Sequence, residues 1–165
     1  MIKKSNKQYS QITVDQLKRQ LNIDLSYTDE DSFLETLIQA SVDYCEDMLG
    51  ADIVITDNEV TFKDFSSNSI SIPESNLSGV TSITLNSEEI TEYEVTEHLI
   101  KFTIDFEQVL SGDLTVNFKT GSNNIKPKHL QAILIKASDL YDAERQSYNY
   151  GLNHNDKVLH YLLTL

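Results

Sequence analysis

The spacing of apolar positions changes twice along the chain, and the changes divide it into three parts. Thr13 and Gln16 have the spacing of a capping box, and Leu17 and Leu21 follow at helical intervals, so a short helix is predicted over 14–21. A second helix is predicted over 29–49. Thr28 would cap it, Asp29, Glu30 and Asp31 suit its first turn, and Gly50 ends it. Phe33, Leu34, Leu37, Ile38, Val42, Cys45 and Leu49 form its apolar stripe, with Glu35, Gln39, Asp43, Glu46 and Asp47 on the polar side.

From 51 to 118 the period becomes two. Ile53/Ile55, Val60/Phe62, Ile70/Ile72, Ile83/Leu85, Tyr93/Val95, Ile100/Phe102/Ile104 and Leu114/Val116/Phe118 alternate with polar residues. Asp57-Asn58, Asn86-Ser87 and Ser111-Gly112 supply turn chemistry between them. Such alternation means one buried and one wet face, so about six or seven short antiparallel strands are expected. No segment offers the long crossover that a parallel pair needs.

Helical spacing then returns. Pro127 opens a helix predicted over 127–145, with Leu130, Ile133, Leu134, Ala137, Leu140 and Tyr141 on one side. Residues 147–153 read as a loop, and Asn155 as the cap of a last apolar segment. Residues 1–11, with three lysines and little apolar content, read as a flexible arm. The expected fold class is α+β: one domain of 165 residues, built as a small helical bundle. A β subdomain at 51–118 interrupts it, and a tail at 152–165 follows. A chain of this length buries about 70% of its unfolded surface.

Charge sharpens the picture. The net charge of −13 is segregated: residues 1–23 carry +4, 24–113 carry −19 and 114–165 carry +2. Binding DNA by counterion release needs cations facing phosphate, and the acidic middle offers only Lys63 and Lys101. No run approaches the roughly 20 apolar residues of a membrane span, and the lysines at the start precede no apolar run of signal-peptide type. The single cysteine, Cys45, reads as a small core residue, which suits folding in a reducing cytoplasm. Glu46 and Asp47 at one helix end, and Lys126 and Lys128 at the start of another, each oppose their own dipole. Ion pairing between them, within a chain or across a subunit boundary, is expected.

Catalytic and metal signatures do not emerge. His98, His129, His154 and His160 lack metal-site spacing. Asp29-Glu30-Asp31 would need glycine at the sixth position and glutamate at the twelfth to make a calcium loop, but Leu34 and Ser41 stand there. Adjacent carboxylates such as Glu88-Glu89 are expected by chance among 26 acidic residues. There is no nucleophile elbow and no phosphate-cradling glycine loop. No cofactor, metal or enzymatic activity is therefore expected. Tyr141, Tyr148, Tyr150 and Tyr161 gather with Leu162, Leu163 and Leu165, either at an interface or in a tail folded onto its own core.

The order of parts resembles the head–tail connector (head-completion or adaptor) proteins of tailed bacteriophages. "ITVDQLKRQLNID" occupies the place of the family's opening "ITLEEAKxHLR"-like helix, and "DEDSFLETLIQASVDYCEDMLG" that of its "LIxxAxxxxExxxG"-like helix. "NFKTGSNNIKPKHLQAILIKASDLYDAERQ" places Gly121, Pro127, Leu130, Ala132, Ile133, Leu140, Tyr141, Glu144 and Arg145 where the family pattern expects them. The large β block and the extra tail depart from the shortest members.

The resemblance implies a virion ring at the capsid–tail junction, commonly of twelve copies. It would lie below the portal protein, receive stopper or tail proteins, and pass DNA through its channel without specific binding. The carboxylates of 24–113 would then face the channel and repel phosphate. Lys128, Lys136 and Arg145 against Glu35, Asp43 and Glu46 form the expected subunit contact. Val158, Leu159, Tyr161, Leu162, Leu163 and Leu165 form the expected portal-docking surface. The alternative is a phage accessory β module that binds protein or carbohydrate.

Overall fold

The computed structural model describes residues 2–72, 76–96, 99–103, 111–141 and 154–164. The fold is α+β, and the chain divides into two compact units, each assembled from separated stretches. One comprises Met1–Lys7 and Ile55–Ser122 and holds the strands. The other comprises Gln8–Val54 and Asn123–Leu165 and holds the helices.

The β unit contains two antiparallel sheets. The larger is built from β1 (Ile2–Lys7), β2 (Thr56–Ser66), β4 (Leu77–Leu85), β5 (Glu88–Glu89) and β8 (Ser111–Thr120), in the order β1-β2-β8-β4-β5. The smaller has the order β3-β7-β6, from Ser69–Ser71, Leu99–Phe102 and Tyr93–Thr96. Strict alternation drives the burial: Leu114, Val116 and Phe118 of β8 lie inside with Val60, Ile83, Ile100 and Phe102. The β2 ring of Phe65 meets Phe102 of β7 edge-on at 6.0 Å, a favourable aromatic geometry. Asn86 and Ser87 form the expected turn from β4 to β5, both at positive φ. The Asn86 side chain then accepts from the amide of Asp113 at 2.9 Å. A Cβ on Gly112 would meet that side chain, so glycine is required there.

Three expectations for this unit are corrected. Residues 2–7 are not a free arm but the edge strand β1, paired in register from Ile2–Val60 to Lys7–Thr56. Its lysines suit a solvated edge, which hid it from a hydrophobicity reading. Asp57-Asn58 is not a turn: both lie inside β2, where Asn58 is buried and donates to the Thr120 hydroxyl at 2.7 Å. Ser111-Gly112 likewise opens β8 rather than forming a turn.

The helical unit contains α1 (Val14–Leu21), α2 (Asp31–Leu49), α3 (Pro127–Tyr141) and α4 (His154–Thr164). The capping box at α1 forms as expected, with Gln16 N donating to Thr13 Oγ1 at 3.3 Å and Thr13 N to Gln16 Oε1 at 2.9 Å. Leu17, Leu34, Val42, Cys45, Ala132, Ile133 and Ala137 are fully buried in the common core. Thr28 is not the cap of α2; Glu30 holds that position, without a side-chain bond. Phe33 leaves the stripe and is 51% exposed. The predicted residues 142–145 of α3 and the loop at 147–153 lie outside the described residues. Asn155 lies within α4, not at its cap.

The exit from α2 is set by Glu46, which was expected on the polar side but is 6% exposed. Its Oε1 accepts the amides of Ile53 at 2.7 Å and Val54 at 3.1 Å. Gly50, at φ 70°, returns its amide to the Glu46 carbonyl at 2.8 Å and frees the chain to turn back. Residues 53–55 are therefore buried as a held turn, not as the expected strand. Glu46→Ala leaves two buried amides unpaired and is expected to lower stability by about 3 kcal/mol, with Glu46→Gln losing roughly 1 kcal/mol, read by urea unfolding.

Candidate subunit and docking surfaces

Helical spacing spreads the expected contact residues over different surroundings. Glu35 and Asp43 are exposed on α2, whereas Glu46 is turned inward to the amides just described. Lys128 is half-buried at the start of α3. Lys136 stays within its own subunit, its ammonium 3.9 Å from the centre of the Tyr44 ring. Arg145 lies outside the described residues. Neither Lys126 nor Lys128 forms an ion pair with a described residue, so the expected pairing with Glu46 and Asp47 does not occur within the chain.

The expected docking tail is mostly a core element. Leu159 and Leu163 are 0% and 2% exposed and join the core of the helical unit. Val158 and Leu162 are half-buried, and Tyr161 is 61% exposed. At i and i+4, Leu159 and Leu163 share a face, and the physics that made the segment look sticky also folds it onto α3 and α2. Leu165 lies outside the described residues.

Two features were missed. Lys18 is 1% exposed, and its ammonium meets Asp31 Oδ1 at 2.6 Å and the Leu25 carbonyl at 3.4 Å. Its position between Leu17 and Leu21 on the apolar side of α1, with an acidic turn following, is the signal that was available. The second feature is an exposed apolar group: Leu25, Tyr27 and Phe33 are 40%, 43% and 51% exposed. The Phe33 and Tyr141 rings lie 6.3 Å apart. Tyr141 donates its hydroxyl to Glu30 Oε2 at 3.0 Å, and that bond raises its pKa.

On the wet face of the large sheet the charges are paired. Lys119 meets Asp57 at 3.3 Å, Asn6 donates to Asp57 at 3.1 Å, and Lys3 meets Glu59 at 4.0 Å. These bonds hold the Asp57 carboxyl below its ordinary pKa, with Asn6 the main cause. Cys45 is buried, and desolvation pushes its thiol up to about 12. Among the described residues no group of three or more His, Cys, Asp or Glu side chains is placed to hold a metal, and no helix is long and apolar enough to cross a membrane.

Residues 11–115 match the family model of phage gp6-like head-tail connector proteins. The chain belongs to that family. The match includes α1, α2 and the strands from β2 to the middle of β8, and leaves β1 outside. No curated protein matches the chain. Among solved structures, a chain from the neck of an empty gene transfer agent particle, computed with C6 symmetry, is 13% identical with a TM-score of 0.72. The match covers 99% of this chain and 94% of that one. A chain from the virion of a native gene transfer agent particle gives 13% identity and a TM-score of 0.73, over 98% and 93%. One from the native neck, computed with C12 symmetry, gives 13% and 0.72, over 99% and 94%. The likeness in fold thus extends across the β block and the C-terminal segment. As a head–tail connector, the protein is a structural component of the virion that joins head to tail.

In this connector His129 carries a pH signature. It is buried, and desolvation, then the ammoniums of Lys128 and Lys126, hold its pKa below the ordinary value. As pH falls through about 6.5, the unfolded chain takes a proton that the folded chain still refuses, so stability is lost on acidification. Thermal unfolding between pH 7.5 and 5.5 is expected to show a smaller loss for His129→Gln than for the unaltered protein.

Proposed function

We propose that copies of this connector close into a ring below the portal, twelve in the complete neck, with stopper or tail proteins on the far side and DNA passing through. The observation that carries the reading is the fold likeness over 99% of the chain to a neck component computed with C12 symmetry, joined to the family match. The role is mechanical and not catalytic. The exposed carboxylates of the acidic middle, Glu88 and Glu89 among them, face the channel and keep DNA from adhering. Portal contact is made through the exposed aromatic of α4, Tyr161, beside the half-buried Val158 and Leu162.

Deleting 152–165 would strip Leu159 and Leu163 from the core, so a point substitution is the better test. Mixed with its portal ring and measured by size-exclusion chromatography with mass detection, the protein is expected to co-elute at a fixed ring stoichiometry. Tyr161→Ala is expected to weaken that binding roughly tenfold with unchanged thermal stability. A protein that stays monomeric and ignores the portal at every salt concentration would overturn the ring, and unchanged binding by Tyr161→Ala would overturn the docking surface.

A further inference from the structure

A groove of about 510 Å³ runs beside the start of α1 and the first half of α2. Its floor is apolar, with Ile12 and Ile38 5% and 2% exposed. Asp15 and Glu35 stand exposed on its rim, and neither forms an ion pair with a described residue. The third carboxylate of the lining, Asp31, is engaged by Lys18. The start of α3 has the opposite character. Lys126 and Lys128 flank Pro127, no acidic residue shares that first turn, and both ammoniums oppose the helix dipole without a described counter-charge. Their field reaches His129 and helps to depress its pKa.

We propose that the groove receives the Lys126–Lys128 end of α3 from the neighbouring copy, an inference that rests on the ring reading. Within one subunit Lys128 and Glu35 are held apart. Tyr141 at the end of α3 sits beside Glu30 and Phe33 at the start of α2, and Lys136 reaches Tyr44 further along, so the two helices run antiparallel. At 1.5 Å per residue, Lys128 lies roughly 15 Å from Glu35 along the axes. The lateral placement adds to this. Glu35 and Tyr44 are nine residues apart, about 180° around α2, and Lys136 of α3 lies on the Tyr44 side.

Two unlike, mutually complementary patches at different ends and flanks of one subunit are what a heterologous, head-to-tail contact requires, and such a contact closes into a ring when its rotation allows. The apolar floor accepts the lysine stems and the Pro127 ring, and the carboxylates meet the ammoniums at the rim.

The buried Cys45 makes the test clean, because its thiol is inaccessible and un-ionised near neutral pH. Glu35→Cys and Lys128→Cys are placed in one chain, and the protein is oxidised mildly, alone at high concentration and with the portal ring. A disulfide needs Cα atoms within about 7 Å, so the pair cannot close within a subunit. The expected result is a ladder of linked oligomers that neither single variant gives. Glu35→Lys is expected to reduce ring formation roughly tenfold, and Glu35→Lys with Lys128→Glu to restore it. Rings seen by native mass spectrometry without a ladder, and indifferent to Glu35→Lys, would overturn this contact and leave the ring reading standing. Absence of rings under every condition would overturn the ring reading itself, and this contact with it.

Discussion

One carboxylate governs how the chain leaves α2, the longest helix among the described residues. Glu46 sits in the last turn of α2, where negative charge is disfavoured by the dipole, and its acid group is nearly all buried. What holds it there is the pair of amides from Ile53 and Val54, which would otherwise be buried without acceptors. The arrangement folds the chain back on the helix and commits Ile53, Val54 and Ile55 to burial just before β2 begins. The strand that follows, β2, is the one to which both β1 and β8 pair.

Acidic content is handled differently in the two units. In the helical unit Asp31 is paired with a buried lysine, and Glu46 accepts from backbone amides. On the large sheet Asp57 and Glu59 are matched by Lys119 and Lys3 across neighbouring strands. Cross-strand pairs at such exposure contribute little to stability. Their effect is to leave that sheet face near neutral, so the protein's net charge is expressed by other carboxylates. Counting acidic residues along the chain therefore overstates the charge that this paired face carries.

Elements with local causes were legible in the sequence. The capping box of α1, the alternation of β8, the Asn86-Ser87 turn and the Pro127 start of α3 each follow from neighbours within a few residues. Features that depend on distant partners were not. β1 reads as a polar arm because its pairing strand lies some fifty residues away, and Asn58 reads as a turn residue because Thr120 is needed to justify its burial. Glu46 and Lys18 were misjudged or passed over for one reason: charge predicts exposure unless a buried partner is known. Of the surfaces, the tail's apolarity was legible, but not that Leu159 and Leu163 spend it on the core and leave Tyr161 outside.

The interleaving of the two units has a mechanical consequence. The β unit takes the first residues and a central stretch, and the helical unit takes what lies between and after them. The backbone therefore passes from one unit to the other three times, near residues 7, 54 and 122. Tension between the units is shared by three covalent tethers instead of the single linker of a beads-on-a-string protein. A single proteolytic nick at any crossing leaves the other two intact. For a part that joins head to tail, such redundancy is a form of fail-safe wiring.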